Sequence, residues 1–244
     1  MKKLLQLFCF MLLISPSITL GECIEGDCAN GLGIYIFPEG GQYAGQFANG
    51  EFAGQGSHDY ADGNRYEGLF ENSTPHGEGM LTYADGSIYN GQFDHGVIVG
   101  QGTIVFPNGS KYEGQFKDGL FHGKGIYTYA DGSKYKGELK KGLFEGKGTL
   151  FSDGQLYVGE FKEGEHSGQG TITYYDKSQE IGTWKDGKFI VSQKIKTPKK
   201  SKTSEDDQAF GNDNFLPIEP WDTEQKQDNS FKQDNFFTEA EGKN

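Results

Sequence analysis

The chain has 244 residues, of which 38 are Gly and only 34% are hydrophobic. So much glycine is poor helix material, since each interior Gly costs about 1 kcal/mol against Ala, yet it falls short of the roughly one-third share with a strict period that a collagen triple helix needs. A net charge of −12 argues against a general nucleic-acid binder, whose affinity rests on Lys and Arg neutralising phosphates.

Residues 1–21 read as an export signal. Lys2 and Lys3 form a basic start, Leu4 to Ile14 an apolar run broken by Ser15-Pro16, and Thr19-Leu20-Gly21 puts small residues at −3 and −1 of a cleavage site after Gly21. The run is too short and wrongly flanked for a stable membrane span. Glu22 stands before Cys23 where a lipoprotein needs a small residue. The expected destination is periplasmic or extracellular. Cleavage removes Cys9 and leaves Cys23 and Cys28, an even number in an oxidising compartment. A disulfide between them closes a six-residue loop, worth roughly 2 kcal/mol on the chain-entropy account. An intermolecular bond is the alternative.

Residues 22–188 are organised by a repeat. Tyr43, Gly45 and Phe47 recur as Tyr66, Gly68 and Phe70, then Tyr89, Gly91 and Phe93, then Tyr112, Gly114 and Phe116. Tyr135, Gly137 and Leu139 follow, then Tyr157, Gly159 and Phe161. The tyrosines are 23 residues apart, except for one step of 22. A worn copy carries Glu180, Gly182 and Trp184, and a partial one leads with Gly31 and Gly33. Each full copy continues with a Gly-x-Gly pair, as at Gly123 and Gly125.

Two turns punctuate each unit. Asp62-Gly63, Asp85-Gly86, Asn108-Gly109, Asp131-Gly132 and Asp153-Gly154 are dipeptides that reach positive φ in tight hairpins. A second turn sits inside the unit, as at Asn49-Gly50 or Asp118-Gly119. Two short runs and two turns make a hairpin. Residues two apart share a strand face, so Tyr112, Gly114 and Phe116 lie on one face, with Gly125, Tyr127 and Tyr129 on the next strand. That face is aromatic and aliphatic. The other carries Glu67, Glu113, Lys136, Gln55, Glu78, Lys124, Thr103, Thr149 and Thr171 and reads as solvated.

The unit Tyr-x-Gly-x-Phe-x-x-Gly-x-x-x-Gly-x-Gly resembles the MORN repeat, from Cys23 to about Lys188. Ser73 departs from it where an in-hairpin Gly belongs, Leu139 replaces Phe, Lys177 replaces a turn Gly, and the Trp184 copy has the look of an end cap. The resemblance implies an all-β fold: an elongated single-layer antiparallel sheet of stacked hairpins, roughly 70 Å long at two strand spacings per hairpin.

Charge is uneven along this array. Glu22 to Ser110 holds 12 acidic residues and one basic, Arg65, for a net of −11, whereas Lys111 to Lys188 holds 12 of each. A basic knot follows at Lys194, Lys196, Lys199, Lys200 and Lys202. Residues 189–244 read as a disordered tail too polar to bury a core. The tail still carries aromatics, and Lys226 to Phe231 is nearly repeated as Lys232 to Phe236, next to Phe237. Either these are short motifs for a partner, or they fold back to cover the sheet's apolar face or its last edge.

No catalytic constellation emerges. The Gly-x-Gly pairs lack a following Lys-Ser/Thr and open no helix, so they are not phosphate loops. His76 and His122 share a register but lie four strand spacings apart, roughly 19 Å, and His58, His95 and His166 fall in other registers, so neither a metal nor a cofactor is expected. The leading expectation is a non-enzymatic, exported interaction scaffold. It binds a protein partner, or a second copy, through an exposed stripe of Tyr43, Phe47, Tyr66, Phe70, Tyr89, Phe93, Tyr112, Phe116, Tyr135, Tyr157, Phe161 and Trp184. Two competing readings are a membrane surface, which the family name implies but the charge disfavours for anionic lipid, and a cell-wall glycan stacked on Tyr and Trp. Nucleic acid is not expected.

Overall fold

The computed structural model describes residues 21–195, with side chains through residue 190. Residues 1–20 of the export signal and the tail from 196 onward, with Phe231, Phe236 and Phe237, lie outside the described residues. All described residues belong to one compact unit. It is a single open antiparallel sheet of sixteen strands in chain order, without a crossover. The strands are β1 (Glu22–Gly26), β2 (Leu32–Ile36), β3 (Gly41–Ala48), β4 (Glu51–Tyr60), β5 (Arg65–Glu71), β6 (Thr74–Thr82), β7 (Ile88–Asp94) and β8 (Val97–Val105). They continue as β9 (Lys111–Lys117), β10 (Leu120–Thr128), β11 (Lys134–Lys140), β12 (Leu143–Ser152), β13 (Gln155–Lys162), β14 (Glu165–Thr173), β15 (Gln179–Lys185) and β16 (Lys188–Ile195).

The two turn types follow from local chemistry. The outer turns, joining even strands to odd ones, close through a backbone bond such as Tyr83 N–H to Ser87 O (2.8 Å). Their acidic residue accepts from the N–H two positions on, as Asp85 Oδ1 does from Ser87 (2.8 Å) and Asp131 Oδ1 from Ser133 (2.8 Å). This is the Asx geometry that makes Asp and Asn good turn formers. The inner turns put two successive residues at positive φ, as in His95 (47°) and Gly96 (81°), which is the two-residue hairpin matched to strand twist. Ser73 (62°) and Lys177 (64°) adopt the same left-handed geometry without being glycine. The one 22-residue step is an outer turn cut to two residues, where Ser152 pairs directly with Gln155.

The Gly-x-Gly pair has two separate jobs. Gly123 sits at φ 58°, where the β9–β10 register slips between His122 and Gly125, so the first glycine makes a bulge. The second, Gly125, pairs directly with Gly114. A Cβ there would lie 2.5 Å from the Tyr112 ring. The bare Gly–Gly pair is therefore the floor on which each tyrosine lies.

The sheet's core is this tyrosine face. Tyr43, Tyr66, Tyr89, Tyr112 and Tyr135 are fully buried. Each phenol is satisfied at the bulge: Tyr112 Oη donates to the Gln115 carbonyl (2.8 Å), and Tyr66 does the same to Leu69 (2.9 Å). Tyr43, Tyr66 and Tyr89 each meet the phenylalanine of their own repeat edge-on and then that of the next. Tyr89 lies 5.3 Å from Phe93 and 5.0 Å from Phe116, both nearly perpendicular. Such pairs add about 0.5–1.5 kcal/mol each beyond area burial. The chain of rings runs on through Tyr157 to Trp184 (5.1 Å). Leu139 fills the Phe position and is equally buried.

The expected array boundary at 188 is too early. β16 continues the sheet to Ile195, because Phe189 pairs with Trp184 across β15–β16 and packs on its indole at 4.7 Å.

Candidate functional site

The stripe expected to be exposed is not a surface. All twelve of its positions, from Tyr43 through Trp184, are at most 6% exposed. Alternation correctly assigns them to one face, but it does not show that a glycine floor lets the rings lie down and be covered by their neighbours. They form the core of the sheet.

What remains accessible on that face is a second layer. Phe52 stacks on Tyr43 (3.8 Å between ring centres), Phe121 on Tyr112 (4.0 Å), Phe144 on Tyr135 (3.6 Å) and His166 on Tyr157 (3.8 Å). Pro75 and Ile98 occupy the same register on β6 and β8. Alongside runs a row two residues past the second Gly: His58, Leu81, Ile104, Tyr127, Leu150 and Ile172, all half-buried. A third row follows, with Tyr60 stacked on His58 (3.9 Å) and Tyr129 beside Tyr127 (4.6 Å). The middle row is legible in the sequence as apolar, whereas the stacking row is not, because its members vary among Phe, Pro, Ile and His.

The opposite face is more apolar than expected. Ile88, Val97, Val105, Leu120, Leu143, Phe151 and Val158 are exposed among its charged and Thr positions. Arg65, the lone cation between residues 22 and 110, is held there by Asp59 and Glu67. It therefore leaves the acidic half without a free positive centre.

Burial shifts the titrations of this core. It pushes Tyr43 and Tyr157 up to about 12 and raises Tyr66, Tyr89, Tyr112 and Tyr135 as well. These phenols stay neutral hydrogen-bond donors. Burial lowers His58 and His166, which favours the uncharged imidazole.

Cys23 and Cys28 are joined as a disulfide at the first edge of the sheet. His76 and His95, which fall in different registers, nevertheless come together, with ring centres 5.3 Å apart. Glu71, His76 and His95 bring ligand atoms within 4.8 Å of one another. Comparing registers one strand at a time misses this, because His95 lies in the β7–β8 turn. That turn folds against β6, where Gly96 N–H donates to the Pro75 carbonyl (2.8 Å).

A family model described as the MORN repeat matches residues 29–42, 43–65, 66–88, 89–111, 112–134, 135–156 and 157–179. No curated protein matches the chain. Among solved structures, the chain is similar at 16% identity and a TM-score of 0.42 to the TCP domain of Drosophila melanogaster SAS-4 (dCPAP), in complex with a proline-rich motif of Ana2 (dSTIL), covering 75% of this chain and 99% of that one. It is also similar, at 17% identity and a TM-score of 0.21, to the TCP10 domain of Danio rerio CPAP in complex with a peptide of Danio rerio STIL, covering 71% and 100%.

Proposed function

The chain belongs to the MORN repeat family, and we propose that it acts as an exported, non-enzymatic scaffold that docks a protein partner on the tyrosine face. One observation carries this reading: the half-buried rows over the tyrosine core run unbroken from Phe52 on β4 to Ile172 on β14. A long apolar surface on a rigid backing is what repeat proteins offer to extended partners. Aromatic side chains there provide the large, stiff anchors that dominate interface energetics. The backing is already locked, so little ordering is needed when the partner arrives.

Two further features refine the partner. The segment from Glu22 to Ser110 carries a net −11, with its single Arg neutralised by two carboxylates. A partner with apolar side chains and positive charge toward that end fits best, and anionic lipid fits worst. Export is supported by the basic-apolar-small pattern of residues 1–21 and by a disulfide just beyond it, since such bonds persist in oxidising compartments.

The test uses the full chain beside a variant in which Phe106, whose ring centre lies 6.5 Å from that of Tyr127, and Tyr129 are both changed to Ser, each protein immobilised against a detergent extract of the host envelope. A protein held by the parent and released by the variant, with Tm unchanged, is the expected result. Equal retention by both overturns the reading. So does recovery of lipid or wall glycan alone, which would move the function to one of those surfaces.

A further inference from the structure

We propose that Glu71, His76 and His95 form a binding site for a divalent first-row cation of the Zn2+ type, with Asp94 as a positioning residue. The site lies at the inner-turn edge, where the β5–β6 hairpin meets the β7–β8 hairpin. Glu71 ends β5, His76 lies early in β6, Asp94 ends β7, and His95 begins the turn to β8.

The geometry suits a metal. Glu71 Oε2 is 3.4 Å from His76 Nε2, and Asp94 Oδ1 is 3.6 Å from His76 Nδ1. Bonds of about 2.0–2.2 Å in a tetrahedral site place neighbouring donors roughly 3.3–3.6 Å apart. The three ligand atoms within 4.8 Å thus need only small side-chain rotations, which partly exposed groups can make. His76 Nδ1 is shielded from solvent and has no hydrogen-bond partner, with the Asp94 carboxylate 3.6 Å away. Asp94 Oδ1 lies 2.6 Å from His95 Nδ1. A carboxylate on one imidazole nitrogen fixes the tautomer and presents the other as the ligand, the usual support for a metal-bound histidine. Two imidazoles with one carboxylate prefer Zn2+ and its neighbours to Mg2+ or Ca2+.

The repeat supplies its own comparison. Every junction between successive hairpins has the same four positions. They hold Ala48, Ala53, Glu71 and Asn72 one step earlier, and Asp94, Val99, Lys117 and Asp118 one step later. The other histidine in the His76 register, His122, shares its junction with Lys117, Lys140 and Lys141, which repel a cation. Only one junction in the array combines donors at all four positions with no lysine. A bound ion there would tie two neighbouring hairpins together at their turns.

The experiment is a calorimetric titration of the metal-stripped full chain with Zn2+, followed by Co2+ absorption. Four variants accompany it: His76→Val, His95→Asn, His122→Val and Asp94→Asn. The first two carry residues the array itself places in those registers, Val99 and Asn72, and Asn tolerates the left-handed turn position. We expect a single Zn2+ per chain, not displaced by Mg2+. Affinity should fall about tenfold or more in each site variant and stay at the parental value in His122→Val. Asp94→Asn should weaken binding by about tenfold and leave the stoichiometry unchanged. Absence of binding to the parent overturns the proposal, as does parental affinity in either His76→Val or His95→Asn.

Discussion

Tyr112 and Tyr127 sit opposite each other on neighbouring strands of the same face, yet Tyr112 is fully buried and Tyr127 half-exposed. Residue type and face do not separate them. What does is the glycine pair. Tyr112 lies over Gly114 and Gly125, donates its proton to the bulge carbonyl of Gln115, and is roofed by Phe121 and flanked by Phe116. Tyr127 has no such floor and leans on Tyr129 and Phe121. A single-layer sheet thus builds a core by laying alternate rings down in glycine slots and leaves the others as surface. The structural role and the proposed docking role fall to different rows on the same side of one sheet.

The sharpest way to break this division is to truncate one member of each row. Tyr112→Ala removes a fully buried ring and its neighbours' contacts, and should cost about 3–5 kcal/mol. Tyr127→Ala should cost about 1 kcal/mol, for the part of the ring that is shielded. Urea unfolding midpoints measure both; equal losses would abolish the distinction between core row and surface row. Next in size is the floor itself. Gly125→Ala puts a methyl 2.5 Å from the Tyr112 ring and should cost about 1–3 kcal/mol through overpacking. A neutral result would show that the ring does not need the slot. Smaller still is Tyr112→Phe, which keeps the packing and loses the Oη bond to Gln115 (2.8 Å), for about 1 kcal/mol.

Much of this fold is legible in the chain because period and turn chemistry agree. The 23-residue spacing, the Asp-Gly dipeptides and the two-residue alternation all specify hairpins, the resemblance to the MORN repeat adds their union in one sheet, and the structure joins sixteen strands in that way. The site is less legible, for three physical reasons. Alternation assigns a face but not a depth, so a buried core reads as an exposed stripe. The bulge at the first glycine slips the register between His122 and Gly125, so Phe121, which counting from the Tyr127–Tyr112 pair sets opposite Asp118, pairs with Phe116 instead. The nearness of His76 and His95 depends on how one hairpin's turn rests on its neighbour, which periodicity within a strand does not encode. β16 is hard to read for a related reason: its support is the packing of Phe189 on Trp184, while its own composition reads as tail.

The smallest effect tests the roof of the core through pH. His166 replaces the aromatic lid found as Phe121 and Phe144 in earlier copies, and His58 replaces the aliphatic Leu81 and Ile104. Burial lowers both imidazoles below their ordinary value of 6.5. The folded state therefore binds their protons more weakly than the unfolded chain, and stability must rise with pH through that range. Their contribution is complete above about pH 6.5 and fades as pH falls through the lowered folded values. The buried tyrosines act in the opposite direction at the other end: raised above 10, they hold stability up to about pH 10 and lose it as they ionise. The turn carboxylates Asp85 and Asp131, lowered by the backbone N–H groups they accept, act in a third window below their ordinary 3.8. The three windows start from different ordinary values, and a double variant removes the imidazole contribution alone. His58→Leu/His166→Phe should flatten the Tm profile just below about pH 6.5 while leaving the alkaline and strongly acid losses in place. Phe also preserves the stack on Tyr157, so a profile that keeps its mid-range slope in this variant would mean that the roof over the tyrosine core is not what senses the proton.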